Sequence, residues 1–147
     1  MKFLSMFLIF VFLLSCSTIA QEKKHPLEGT WEQISAKWTS PDTTTFNLAT
    51  DNERNLLVFS RTHTMWIYQD TSQTDGYGFG GGKYTLEGEN YTEYLEIYYD
   101  PKMIGKSVNY TWKVKGDTLK VSGIHPYKKW GLGEYDLQLD EVYKRID

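Results

Sequence analysis

Val108-Asn109-Tyr110-Thr111-Trp112-Lys113-Val114 alternates without a break: its even positions are apolar or aromatic and its odd positions polar. A period of two sends successive side chains to opposite faces of a strand, so Val108, Tyr110, Trp112 and Val114 share the inward face. Gly116-Asp117 then reads as a tight turn, and Leu119 and Val121 carry the inward phase into a second strand. The pair is a hairpin with one wet face and one buried face, the repeating unit of an antiparallel sheet.

The same signal extends in both directions. Residues 30–38 alternate, with Ile34, Ala36 and Trp38 on one face. Residues 55–60 and 62–69 are two runs rich in Val, Phe, Met, Trp, Ile and Tyr, joined near Ser60-Arg61. Residues 82–86 lead through Glu87-Gly88-Glu89 into 90–100, and 134–146 close the chain. Helix signals are weak: residues 51–55 read as one short helical turn, and no dozen-residue window keeps an apolar 3.6 period. Sequential strands with hairpin-length links make a meander rather than βαβ units. An open sheet of this size leaves adhesive edges, which closure removes. The expected fold class is therefore all-β, an antiparallel up-and-down β-barrel of about eight to ten strands. A two-sheet sandwich is the alternative that strand counting leaves open.

The N-terminus reads as an address. Lys2 precedes an apolar run over residues 3–14, too short to span a bilayer as a mature helix. Thr18-Ile19-Ala20 offers the small residues of a signal-peptidase site before Gln21, whereas Leu13-Leu14-Ser15-Cys16 resembles a lipobox that would lipidate Cys16. The expected organisation is a signal peptide over 1–20, a short polar linker over 21–26 and one barrel domain over 27–147. The expected location is exported, periplasmic or secreted, or alternatively lipid-anchored in the cell envelope. Any membrane association would run through the signal peptide or an anchor on Cys16. The chain carries 16 Lys and Arg against 19 Asp and Glu, so no basic field draws it to nucleic acid. The single Cys belongs to the address and excludes a disulfide framework.

Aromatic residues make up 16% of the chain, including 11 Tyr and 5 Trp. Phe3, Phe7, Phe10 and Phe12 leave with the signal, so the mature aromatics are mostly Tyr and Trp on strands. Wide inward rings with polar tips and few aliphatic residues describe an incompletely filled barrel, hence a ligand cavity. Trp66, Tyr68, Tyr84, Tyr110 and Trp112 are its expected lining. Two strands leave their phase open. Thr64-Met65-Trp66-Ile67-Tyr68 is apolar on both faces, and in 91–99 one phase holds Tyr91, Glu93, Leu95, Ile97 and Tyr99 while the other holds Thr92, Tyr94, Glu96 and Tyr98. Glu93 shares the phase of Leu95 and Ile97. If it faces inward, burial raises its pKa and makes it a polar anchor or a general acid–base group; otherwise it is a solvated strand carboxylate.

Leu27-Glu28-Gly29-Thr30-Trp31 resembles the Gly-x-Trp opening of lipocalins and their calycin relatives. The resemblance implies that Trp31 plugs one barrel end and that a basic side chain of the last strand, Arg145 with Lys144 second, packs on its ring. Leu57-Val58-Phe59-Ser60-Arg61-Thr62-His63-Thr64-Met65-Trp66, Gly82-Lys83-Tyr84-Thr85-Leu86, Gly105-Lys106-Ser107-Val108 and Lys115-Gly116-Asp117-Thr118-Leu119 resemble a lipocalin-like group of exported Bacteroidetes proteins. That resemblance covers nearly all of the mature chain and implies a calycin-type barrel. It implies little about activity, since a fold does not fix a function.

Other motifs carry less chemistry. Gly76-Tyr77-Gly78-Phe79-Gly80-Gly81 matches G-x-G-x-x-G formally, but a strand follows where a dinucleotide fold needs a helix. It reads instead as a flexible loop or a glycine-bent strand. His25, His63 and His125 lack ligand spacing, and His125 reads as a loop residue before Pro126. No catalytic residue, metal site or cofactor is expected from the sequence. The leading expectation is binding of a small, largely apolar or aromatic molecule in the barrel. The alternatives are an envelope module with a filled core that binds a protein or glycan through loops 76–82 and 125–133, and a small barrel enzyme working through Glu93.

Overall fold

The computed structural model describes residues 24–147. The expected signal segment and Cys16 lie outside the described residues. Among the described residues ten strands follow one another: β1 (Gly29–Thr39), β2 (Thr44–Leu48), β3 (Glu53–Phe59), β4 (His63–Asp70), β5 (Tyr77–Glu87), β6 (Asn90–Tyr94), β7 (Ile97–Tyr98), β8 (Ser107–Lys115), β9 (Thr118–His125) and β10 (Leu137–Arg145). A short helix, α1 (Tyr127–Trp130), sits between β9 and β10. All pairings are antiparallel, in the order β10-β9-β8-β6-β5-β4-β3-β1, and β10 pairs again with β1. That last pairing closes an eight-strand barrel and decides against the sandwich. Closure satisfies the ladder groups that an open edge would leave unpaired.

Two strands are broken rather than extra. β1 pairs with β3 over Gly29 to Glu32 and with β2 over Ser35 to Thr39. β5 pairs with β6 over Tyr84 to Glu87 and with β7 over Gly80 and Gly81. Each break resets the side-chain phase. The β1–β10 register shifts between Gln33 and Ser35, so Trp31, Gln33 and then Ala36 face in while Ile34 is exposed. A bulge inserts one residue and so overrides simple alternation. The alternation that placed Ile34 beside Ala36 fails there. Likewise Tyr91, Glu93 and Leu95 are buried, but past the β6–β7 break Ile97 and Tyr99 are exposed and Tyr98 turns in.

Residues 51–55 form no helical turn; β3 begins at Glu53, paired with Asp70. The glycine run is strand, most of it in β5, and His125 ends β9 rather than lying in a loop.

The two ends of the barrel differ. At one end the chain enters under the floor: Leu27 and Trp31 are fully buried with Phe59, Tyr84 and Leu119. Residues 24–26 dock against this end, and the His25 ring meets Trp112 edge-on at 5.3 Å. At the other end the β1–β2 hairpin, the β4–β5 turn and α1 surround a mouth.

Candidate functional site

The floor is built from the two chain ends. The Arg145 guanidinium lies 4.0 Å from the Trp31 ring centroid. Its Nη1 donates to the Glu28 carbonyl and its Nη2 to the Pro26 carbonyl, both at 2.7 Å, and Trp31 Nε1 donates to the Leu27 carbonyl at 2.8 Å. Gly29 has φ +140°, and a Cβ there would run into Arg145 Nη1. Glycine at this position is what lets the cation reach the indole.

Above the floor is a cavity of about 470 Å³, open at the mouth. Alternate positions of the strands supply its wall: Trp66 and Tyr68 from β4, Tyr91 and Glu93 from β6, Tyr98 from β7, Tyr110 from β8 and Glu141 from β10. Of the two faces of 64–68, Trp66 and Tyr68 therefore take the inside, while Met65 and Ile67 are exposed. Glycines make room for the rings. A Cβ on Gly80 would lie 2.7 Å from both Trp66 Nε1 and Tyr98 Cδ2, and one on Gly123 would overlap the Tyr110 ring. Gly78 and Gly80 thus thin β5 on its inner face, so that a neighbour's indole can cross it.

The expected lining divides. Trp66, Tyr68, Glu93 and Tyr110 meet at the cavity. Tyr84 and Trp112 point inward but lie toward the floor, outside the cavity: the Tyr84 hydroxyl donates to the Ser60 carbonyl at 2.9 Å in the β3–β4 turn, and Trp112 stands beside His25. Periodicity assigns a face, not a height along the barrel axis.

The polar lining is acidic. Glu93 is 4% exposed, and its Oε1 has no hydrogen-bond partner. Burial, with the neighbouring Glu141 charge second, pushes its pKa up to about 8. Glu141 is raised to about 7 by burial, opposed by its hydrogen bonds. Its Oε2 accepts from the Tyr143 hydroxyl and its Oε1 from Gln33 Nε2, both at 2.7 Å. Burial lowers His125 to about 4 and so keeps it neutral; its Nε2 is 2.9 Å from the Tyr110 hydroxyl and its Nδ1 has no partner. Nearer the mouth, the Tyr68 hydroxyl donates to Glu53 at 3.1 Å. Among the described residues no cluster of three or more His, Cys, Asp or Glu is arranged to hold a metal.

Sequence reasoning missed Glu141, Tyr91, Tyr98, Asn55 and His125 as lining. Glu141 carried a usable signal: it alternates in phase with Leu139 and Tyr143, as Glu93 does with Tyr91 and Leu95. Tyr98 carried none, because the break before β7 is invisible to periodicity.

No protein-family model matches this chain, and no curated protein matches it. Solved structures do. A lipocalin-like protein from Bacteroides uniformis aligns with 83% of this chain and 100% of its own at 13% identity, with a TM-score of 0.51. An uncharacterized protein from Bacteroides eggerthii aligns with 82% of this chain and 99% of its own at 10% identity, with a TM-score of 0.50. The likeness at these identities is one of fold: a lipocalin-like, closed antiparallel barrel.

Proposed function

We propose that this lipocalin-like barrel is an exported binding protein that holds a small, largely apolar or aromatic molecule in its interior. The observation that carries the reading is the open cavity of about 470 Å³ walled by Trp66, Tyr68, Tyr91, Tyr98 and Tyr110. Sites of this kind bind through apolar walls, with a few polar groups fixing orientation. Export rests on the positive and apolar start of the chain, residues 2–14. Whether Cys16 is lipidated is decided by the mass of the mature N-terminus.

Fluorescence titration with the neutral probe N-phenyl-1-naphthylamine tests the binding reading. Saturable binding near 1:1 is expected. Trp66→Ala and Tyr110→Ala should each weaken it about tenfold, the equivalent of about 1.4 kcal/mol. Trp112→Ala, outside the cavity, should leave it unchanged. Absence of saturable binding by the wild-type protein would remove the reading.

A second reading makes Glu93 a general acid–base group. Its buried carboxyl, poised near neutral pH, favours this. A filled barrel working only through its loops is disfavoured by the cavity itself.

A further inference from the structure

The cavity lining is one-sided in charge. Four carboxylates, Glu53, Asp75, Glu93 and Glu141, line it, and among the described residues no Lys or Arg does. The chain has 16 Lys and Arg to place, so the asymmetry belongs to the cavity and not to the composition. Glu53 and Asp75 lie toward the mouth, where β3 begins and the β4–β5 turn sits; Glu93 and Glu141 are buried further in. Carboxylates at the mouth draw cations and repel anions, and the inner pair adds to this field only once it gives up its protons.

The two inner carboxyls are not equivalent. Both oxygens of Glu141 are engaged by Tyr143 and Gln33. Glu93 Oε1 has no partner, although the residue is buried. A buried carboxyl without a partner is costly, and a donor brought by a ligand removes that cost. The groups facing Glu93 are Glu141 from β10, Tyr91 from β6, Tyr98 from β7 and Tyr110 from β8, and none of them supplies a positive charge. Tyr91 and Tyr110, which stack on each other at 4.8 Å, and Tyr98 bring aromatic rings, which attract cations, to the same lining.

We infer that the cavity selects a small organic cation, an aromatic amine whose ammonium is received by the unpartnered carboxyl of Glu93 and whose ring lies among Tyr91, Tyr98 and Tyr110. This rests on the binding reading above and narrows its ligand class. Carboxylate ligands are disfavoured, because they would be desolvated beside two acids in a lining that holds no Lys or Arg. Since Glu93, raised to about 8, holds its proton near pH 7, forming the ion pair expels that proton.

Three ligands with one ring system separate the possibilities: tryptamine, 3-methylindole and indole-3-acetate, titrated calorimetrically at pH 7. Tryptamine should bind tightest and indole-3-acetate weakest, with about tenfold or more between them, the scale of one good charge-assisted contact. Tryptamine binding should release a proton, seen as a heat that varies with the ionisation enthalpy of the buffer. Glu93→Gln should reduce tryptamine to the level of 3-methylindole and abolish proton release. Unchanged 3-methylindole binding would show that this variant keeps its fold. Indole-3-acetate binding as tightly as tryptamine would overturn the inference, as would a Glu93→Gln variant that keeps the preference. So would failure of tryptamine to bind a protein that takes up N-phenyl-1-naphthylamine. If none of the indoles and no neutral probe binds, the binding reading itself falls, and the inference with it.

Discussion

At the floor Trp31 is buried and Arg145 half-buried, with their polar atoms engaged, and Trp112 Nε1 is left without a partner; in the cavity Glu93, Asn55 and His125 each bury an atom with none. The floor joins the chain's two ends through one indole, one guanidinium and two backbone carbonyls. The cavity wall, made from the same kinds of rings, keeps open space and two raised carboxyls. One end contributes stability and the other gives some of it up, as sites prepared for a partner do.

The largest effect that this contrast predicts is at the floor. Trp31→Ala removes a fully buried indole, the seat of the Arg145 cation and the donor to Leu27. It should cost about 4 kcal/mol in denaturant unfolding. A loss below about 1 kcal/mol would mean that the floor does not hold the barrel shut.

Glu93 should behave in the opposite way. Its folded pKa of about 8 lies above the ordinary 4.5, and that of Glu141 is about 7. The folded state therefore holds more protons than the unfolded one across this window, and stability falls as pH rises through it. His125 opposes the fall only up to 6.5, because its folded pKa of about 4 makes the unfolded chain the better proton binder below that. The melting temperature should thus drop between about pH 6.5 and pH 8. Glu93→Gln should remove most of the drop, stabilising the protein by about 3 kcal/mol at pH 8 and by little near pH 5. A variant as pH-sensitive as the parent would show Glu93 to be solvated and would erase the contrast.

How far the sequence reaches follows the same division. The hairpin at 108–121, the closed meander and the inward phase of Tyr110 and Glu93 were legible, because strand periodicity records which face meets water. Ile34 and Tyr98 were not, since a bulge and a strand break each shift the phase by one without any residue announcing it. Tyr84 and Trp112 were read on the correct face but at the wrong height. Whether a ring fills the floor or borders the cavity depends on which cross-strand neighbours are glycine. The run from Gly76 to Gly82 was visible as composition, but its purpose emerges only when β4 lies beside it and Trp66 crosses it.

Those glycines give the finest test of the two ends. Alanine at Gly29 meets Arg145 and the Asp147 carboxylate in a backbone conformation that L residues rarely adopt, and it pushes the cation off the Trp31 ring. Alanine at Gly80 meets two ring edges, Trp66 and Tyr98, that border open volume and can swing into it. Gly80→Ala should therefore cost only about 1 kcal/mol, while Gly29→Ala costs about 2–3 kcal/mol. Binding should rank the other way. Gly80→Ala pushes the indole and phenol into the cavity and should weaken N-phenyl-1-naphthylamine about tenfold, whereas folded Gly29→Ala should bind it normally. If Gly80→Ala proved the more destabilising of the two and left binding intact, the rings around β5 would belong to the rigid framework, and the cavity would have to be redrawn without them.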